Sequence, residues 1–232
     1  MPNHITNVIW FRCVAEKVAE IKDFMTTEGN ESIGKTEFDF NNLIPMPKSL
    51  DVESGSRGDT GLMAYREYLR RSFGLVKEEA KKLEETYRER FSEDPEIWDL
   101  GKQYYENIEN YGTANWYDWR IRNWGTKWNA YDVEWGAYSV LFQTAWSGVP
   151  EILEKLSERF PEVEMLYRWS DEDIGYNVGE FTMKDGHVID LNIPNPGSKE
   201  AYDLAFEIHG VEPEEWGFYY DEKAKTYRYK DE

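Results

Sequence analysis

The hydrophobic pattern at the start of the chain changes period twice within 44 residues. Residues 3–14 are rich in Ile, Val, Trp and Phe, a composition typical of a strand. Over residues 15–28 the apolar side chains recur at helical spacing, with Glu and Lys between them. Residues 36–44 alternate again, with Phe38 and Phe40 on one face. We therefore predict a β-α-β unit in this part of the chain.

A mainly helical stretch follows this unit. Residues 48–61 are dense in Ser, Gly and Asp and predict a loop. A helix is then indicated by apolar residues on one face, namely Leu83, Tyr87 and Phe91. Ser92 and Pro95 are typical of a new helix start, and the next helix buries Ile97, Leu100, Tyr104 and Ile108. We interpret this region as an insertion.

The strand pattern returns at residues 138–143, is followed by a helix that starts near Pro150, and returns once more at residues 163–169. Two β-α-β units predict an α+β fold, a split ferredoxin-like antiparallel sheet covered on one side by two helices. The predicted ferredoxin-like core consists of residues 1–45 and 137–186. A helical, Trp-rich insertion is predicted at residues 46–136, and an acidic C-terminal α/β extension at residues 187–232.

Further elements are predicted after the second unit. Residues 176–183 and 187–193 read as a strand pair that turns at Asp185 and Gly186. Ser198 is suited to cap a helix that Gly210 ends. Residues 216–220 and 226–229 predict a terminal hairpin.

Composition narrows the class of protein. The 232 residues carry a net charge of −19 and include one cysteine, Cys13, so no internal disulfide can form. No apolar run is long enough to span a membrane, and the start lacks the pattern of a secretory signal. We therefore expect a protein of a reducing cytoplasm that does not associate with membranes.

The charge is concentrated in the C-terminal third, where residues 149–232 carry −12 and residues 110–148 carry none net. Such a surface repels duplex DNA and attracts basic proteins, although simple solubility explains it too. The acidic residues that we expect to bind a partner are Glu212, Glu214, Glu215, Asp221 and Glu222.

Catalytic motifs are scarce. The three histidines have no metal-ligand spacing, and we expect neither a metal site nor a cofactor. Residues 170–175 begin like an acidic ion loop but fail the EF-hand spacing, so a solvated turn is the better interpretation. The glycine-rich residues 54–61 lack the Gly-Lys-Ser/Thr ending of a phosphate-binding loop. Enzymatic activity is left open, and a catalytic site is the less favoured reading.

Seven tryptophans between residues 98 and 146 form the most distinctive feature of the sequence. Packing of the insertion explains such rings, because large aromatic side chains dominate small cores. Aromatic rings interleaved with cations can also stack on bases or sugars. The alternative ligand site that we predict on this basis consists of Asn123, Trp124, Lys127, Trp128, Asn129 and Asp132.

Several short motifs resemble a known family. They are residues 1–4 (MPNH) with Asn7, 40–47 (FNNLIPMP), 123–132 (NWGTKWNAYD), 144–147 (TAWS), and 171–173 (DED) with Gly175, Asn177 and Gly179. In this order they resemble the YubB-like family of phage and plasmid proteins with a ferredoxin-like domain. The resemblance implies that fold and a mobile-element setting, and therefore the cytoplasm of a bacterial host cell. It implies no catalytic residues, because the family is uncharacterised.

Two functions are consistent with these features. The first is an acidic inhibitor that binds a host protein through its basic nucleic-acid-binding surface, such as a CRISPR effector or a restriction nuclease. The second is a nucleotide-binding, RNA-binding or enzymatic module that uses residues 123–132. The oligomeric state cannot be inferred from the sequence.

Overall fold

A computed structural model describes residues 3–29 and 34–230 of the chain. They form two compact units: Met1–Pro45 together with Asn123–Glu232, and Met46–Arg122. No helix among the described residues combines the length and apolar character that crossing a membrane requires.

The first unit is built on a six-stranded antiparallel sheet and the second on helices. The strands are β1 His4–Arg12, β2 Tyr131–Trp135, β3 Ser139–Ala145, β4 Glu164–Asp171, β5 Val178–Lys184, β6 His187–Asn192, β7 Phe218–Asp221 and β8 Thr226–Tyr229. The helices are α1 Ala15–Met25, α2 Ser56–Ser72, α3 Lys77–Glu89, α4 Glu96–Tyr111, α5 Trp116–Trp124, α6 Pro150–Arg159 and α7 Lys199–His209.

Strand order in the large sheet is β2-β3-β1-β4-β5-β6, and β7 and β8 form a separate hairpin. The first four strands with α1 and α6 follow the chain order β1-α1-β2-β3-α6-β4, which is the ferredoxin-like arrangement. The predicted α+β class with a split ferredoxin-like sheet is therefore confirmed. β5 and β6 extend this sheet beyond β4.

The second strand of the motif is not where the alternation predicted it. Residues 36–44 form no strand; apart from one bridge between Thr27 and Thr36, they lead into the 3₁₀ turn Phe40–Asn42. The side chain of Asp39 accepts a hydrogen bond from the backbone N–H of Asn41, 2.9 Å away, and so starts this turn. Short Asp side chains compete with strand pairing in this way. The strand is instead β2, which pairs with β3.

Both faces of the sheet are covered. On one face β1 buries Ile5 and Ile9, and the helices α1 and α6 bury apolar side chains such as Ile21 and Leu156. On the other face Val8 belongs to a cluster with Val178 and the inner side of α7. As predicted, α7 begins after Ser198, whose hydroxyl caps the helix, and it ends at Gly210 in the left-handed conformation.

The helical unit corrects the prediction of a loop over residues 48–61, because α2 begins within it. Glycines there allow helix contact: a Cβ on Gly61 would lie 2.1 Å from the carbonyl oxygen of Ile97, and one on Gly101 would lie 2.0 Å from the carbonyl carbon of Gly61. The backbones of α2 and α4 therefore touch. The predicted boundaries of the insertion and of the extension stay a prediction, although β2, placed in the insertion, belongs to the sheet.

Candidate functional site

A cleft on the α7 side of the first unit combines acidic and aromatic side chains. Its volume is about 820 Å³, and it lies between the turn that joins β4 to β5 and the segment that leads into β7. The carboxylates at its border are Glu172, Asp173, Glu214 and Glu215, and the rings in its wall are Tyr176, Tyr202, Trp216, Phe218 and Tyr229. We call this the acidic cleft.

The β4–β5 turn is organised by one carboxylate that does not face the cleft. Asp171 accepts hydrogen bonds from the side chain of Asn3 (3.1 Å), the backbone of Asp173 (3.0 Å) and the side chain of Asn177 (3.1 Å). Its oxygens are thus used within the turn, while Glu172 and Asp173 are exposed. No group of three or more metal-ligating side chains is found in the described part of the chain.

The second acidic side of the cleft comes from the 3₁₀ turn Pro213–Trp216, which follows α7 and ends at Gly217 with a φ of 78°. Proline at the start and glycine at the end fix this single turn. Within residues 3–29 and 34–230, neither Glu214 nor Glu215 lies within 4.0 Å of a cationic nitrogen. The carboxylates on this side of the cleft therefore have no cationic side chain beside them among the described residues.

The other predicted acidic residues are placed differently. Glu212 lines a neighbouring hollow beside Asp203 and Glu207. Asp221 is paired with Arg228 at 2.7 Å, and backbone hydrogen bonds from Ala224 and Lys223 lower the pKa of its carboxyl group. Asp221 thus shapes the β7–β8 turn, and Glu222 is exposed at that turn.

Aromatic packing fixes the terminal hairpin to α7. Tyr202 and Phe206 on α7 contact Phe218 and Tyr227 on the hairpin, with ring centroids 5.3–5.8 Å apart. Rings in this edge-on or tilted arrangement attract one another beyond their buried area. The hairpin side of the acidic cleft is therefore packed on α7.

The predicted ligand site splits into buried and exposed residues. Trp124 is fully buried, and its indole N–H donates to the carbonyl of Ile44 at 2.9 Å. Asn129 donates to Asp39 at 2.8 Å and accepts from the backbone of Phe40 at 3.0 Å. These side chains hold the 3₁₀ turn that replaced the predicted strand.

Asp39 is the acidic residue that begins that turn. Burial by itself raises the pKa of Asp39, but hydrogen bonds from Thr27, Asn41 and Asn129 outweigh burial and bring the pKa below its ordinary value. Asn123 is half-buried at the end of α5, and Asp132 is exposed in β2 with a φ of 49°. The six predicted residues therefore do not form one open site.

Lys127 and Trp128 do belong to an exposed aromatic cluster, which includes a residue outside the predicted set. The ammonium of Lys127 lies 4.1 Å from the centre of the Trp128 ring and 5.5 Å from that of Trp146. Trp146 is 62% exposed and has a φ of 78°, which is costly for a bulky residue. The ring of Tyr131 contacts that of Trp128, with centroids 6.2 Å apart, and its hydroxyl is hydrogen-bonded to His4 at 2.6 Å.

A buried polar network holds the loop that carries Trp146. The hydroxyl of Tyr167 donates to Asn7 at 2.6 Å and accepts from the backbone N–H of Val149 at 2.8 Å. Asn7 in turn donates to Thr144, whose hydroxyl donates to the carbonyl of Ser147, both at 2.8 Å. The sequence signal for this network is Asn7, a polar residue inside an apolar strand, which also belongs to the family motif.

A match to one family model agrees with this fold. A family model described as a ferredoxin-like domain in Api92-like protein matches residues 123–212, the segment that begins where the sheet-forming unit resumes. The crystal structure of a protein api92 from Yersinia pseudotuberculosis is similar over 85% of this chain and 99% of its own, with 10% identity and a TM-score of 0.40. No curated protein matches the chain. Residues 123–212 are therefore similar to the ferredoxin-like domain of Api92-like proteins.

Proposed function

We propose that the chain acts by binding a basic, nucleic-acid-binding protein of a bacterial host, through the acidic cleft. The observation that carries this proposal is the cleft itself, in which four carboxylates border a wall of aromatic rings. In this proposal the protein is a phage or plasmid accessory protein, and it inhibits a defence system directed at nucleic acid, such as a CRISPR effector or a restriction nuclease.

The chemistry of the cleft suits arginine side chains. A guanidinium group pairs with carboxylates in a fixed fork and stacks on aromatic faces. Glu214 and Trp216 offer these two contacts from one turn of the chain, and Asp173 and Tyr176 offer them from the opposite turn. Arginines that normally bind phosphates would find both contacts here.

Long-range charge supports the same choice of partner. The chain carries −19 overall, so a basic surface is attracted from a distance and a nucleic acid is repelled. Carboxylates that hold the basic groove of a nuclease would exclude its substrate. The resemblance of the sequence motifs to a phage and plasmid family is the reason for placing that partner in a host defence system.

The test is capture from a bacterial host lysate by immobilised chain, followed by mass spectrometry and by measurement of the affinity for the captured protein. A cleft variant carries Glu172→Gln, Asp173→Asn, Glu214→Gln and Glu215→Gln. A matched control carries the same change of charge on exposed residues of α3, as Glu78→Gln, Glu79→Gln, Glu85→Gln and Glu89→Gln.

We expect the unaltered chain and the α3 control to capture the same nucleic-acid-binding protein. The cleft variant should bind that protein at least about ten-fold more weakly, which corresponds to about 1.4 kcal/mol. Raising the salt from about 0.05 M to about 0.5 M should weaken binding further, because exposed charges are screened. Equal binding by the cleft variant, or affinity independent of salt, contradicts the proposal.

A second candidate function is binding of nucleotides or single-stranded RNA by the exposed aromatic cluster. The observation that favours it is Trp146, an exposed ring on a strained backbone next to Lys127. Bases stack on such rings, and a lysine contacts phosphate. Nucleotides and short RNAs should quench tryptophan fluorescence, and Trp146→Ala or Lys127→Ala should abolish the effect. No quenching across such a panel rejects this function.

A further inference from the structure

An apolar groove lies on the α6 side of the sheet, the opposite side from the acidic cleft. Its floor is formed by side chains of β4 and β5, namely Tyr167, Trp169, Phe181 and Met183, and its volume is about 550 Å³. These floor residues lie on one face because each is paired across the two strands, Tyr167 with Phe181 and Trp169 with Gly179. We call this the edge groove.

The outer wall of the edge groove is β6, the last strand of the sheet. Met183 pairs with Val188 and Phe181 pairs with Leu191, so an irregularity in β6 places both apolar residues on the groove face. Val188, Leu191 and Ile193 line the groove and are 51%, 59% and 62% exposed.

Among the described residues no strand pairs with the outer side of β6. Proteins usually protect an edge strand with charges, proline or a covering element, because its free backbone groups pair readily with another chain. β6 has a single acidic residue, Asp190, and no proline or lysine. An apolar edge of this kind is suited to accept an added strand.

Charge beside the edge of β6 selects what that strand carries. Asp190 pairs with Thr182 and therefore lies on the face of β6 opposite the edge groove, and no cationic nitrogen of the described residues lies within 4.0 Å of it. In an added strand, apolar side chains on the groove face would cover Val188 and Leu191. The residues between them would point to the face of Asp190, so lysine or arginine at those positions would meet its carboxylate.

We propose that the edge groove binds an extended segment of a partner protein, with alternating apolar and basic residues, which pairs with β6 as a seventh strand. A second copy of this chain fits less well, because its own Asp190 and the −19 net charge of each copy would be brought together. The proposal is independent of the acidic cleft, which lies on the opposite face of the sheet.

The probe is a synthetic peptide of alternating Lys and Val in which every second backbone nitrogen is methylated, so that one edge alone can pair. Its binding is followed by NMR of the isotope-labelled full chain. A second peptide, methylated on every nitrogen, keeps the charge and the side chains but loses strand pairing. A third peptide replaces Lys with Glu.

We expect the first peptide to shift the amide signals of β6 and to show backbone contacts with it. Leu191→Ser should weaken binding at least about ten-fold, whereas Val14→Ser, a change of an apolar residue that is 66% exposed elsewhere, should not alter it. Asp190→Asn should weaken binding several-fold, because it removes the carboxylate that faces the basic residues of the peptide. The other two peptides should bind at least about ten-fold more weakly.

Three outcomes overturn the proposal. The first is that the alternating peptide leaves the signals of β6 unchanged. The second is that the fully methylated or acidic peptide binds equally well, which would remove strand pairing or charge selection. The third is that the chain alone dimerises through β6, seen by sedimentation and abolished by Leu191→Ser, which would make a second copy the occupant.

Discussion

The hydroxyl of Tyr167 is the centre of the buried network, and its removal tests whether that network holds the first unit together. Tyr167→Phe deletes one oxygen and leaves two groups without a partner, the side-chain oxygen of Asn7 and the backbone N–H of Val149. Tyr167 and Asn7 are fully buried, and Val149 is 1% exposed. Water therefore cannot replace the lost bonds without a rearrangement.

The cost follows from the two orphaned groups. A buried polar group without a partner costs about 1–3 kcal/mol, so the variant should lose about 2–4 kcal/mol once partial relaxation is allowed. Tyr138→Phe is the control, because Tyr138 is 51% exposed and its change should cost less than about 0.5 kcal/mol.

Hydrogen exchange measured on peptides of β1 and β4 reads the stability of this unit separately from that of the helical unit. The expected loss lowers the protection of those amides by about 30-fold to 1,000-fold, at tenfold per 1.4 kcal/mol. A change below about twofold would refute the reasoning. It would mean that the loop before α6 does not depend on the Tyr167 bonds.

Three further variants test other parts of the fold. Gly101→Ala should destabilise the helical unit by about 1–3 kcal/mol in urea unfolding, because the alanine Cβ would collide with Gly61. This loss is expected although alanine has the better helix propensity. The control Thr60→Ala should be neutral or stabilising. Asp39→Asn should lower the free energy of unfolding by about 2 kcal/mol at pH 7. The lowered pKa of Asp39 stabilises the folded chain above about pH 4, and this stabilisation disappears as the pH falls, so the variant should lose less stability in acid than the unaltered chain. Burial lowers the pKa of His209, so as the pH falls the unfolded chain binds a proton at this histidine before the folded chain does. The free energy of unfolding should therefore decrease between about pH 7 and pH 5, and His209→Gln should make this decrease smaller.

The ferredoxin-like sheet could be predicted because most of its elements have clear periods. The strand pair β5–β6, the helix between Ser198 and Gly210, and the terminal hairpin all lie where the pattern placed them. β2 was missed although Tyr131, Val133 and Trp135 alternate with acidic residues. Trp135 is one of the seven tryptophans of the central region, and Phe38 and Phe40 give residues 36–44 a competing alternation that predicts a strand there.

Two features of the helical unit could not be inferred from local pattern. Glycines at 58 and 61 are typical of a loop, yet here they lie in α2 because Tyr104 and the backbone of α4 come too close for a side chain. Close contact between helices depends on a partner that is about 40 residues away in the sequence. Propensity alone therefore predicts the wrong structure at such positions.

The candidate sites show the same limit. Charge alone points to Glu214 and Glu215, but the cleft also contains Glu172 and Asp173, which come from the β4–β5 turn, far away in the sequence. Sequence could not separate Trp124, which is buried, from Trp128, which is 38% exposed. Both are tryptophans within one segment, and their exposure is decided by tertiary contacts.

The two proposed surfaces can be altered separately because successive strand residues point to opposite faces of the sheet. Trp169 and Phe181 face the edge groove, whereas Arg168 and Glu180, one position away on the same strands, form a 2.6 Å ion pair on the α7 side. Leu191→Ser should therefore leave the salt-dependent affinity of the acidic cleft for its partner unchanged. The cleft variant should bind the alternating peptide at β6 with unchanged affinity. If either change removed both activities, the two faces would be coupled through the sheet, and one partner bound across both would be the better account.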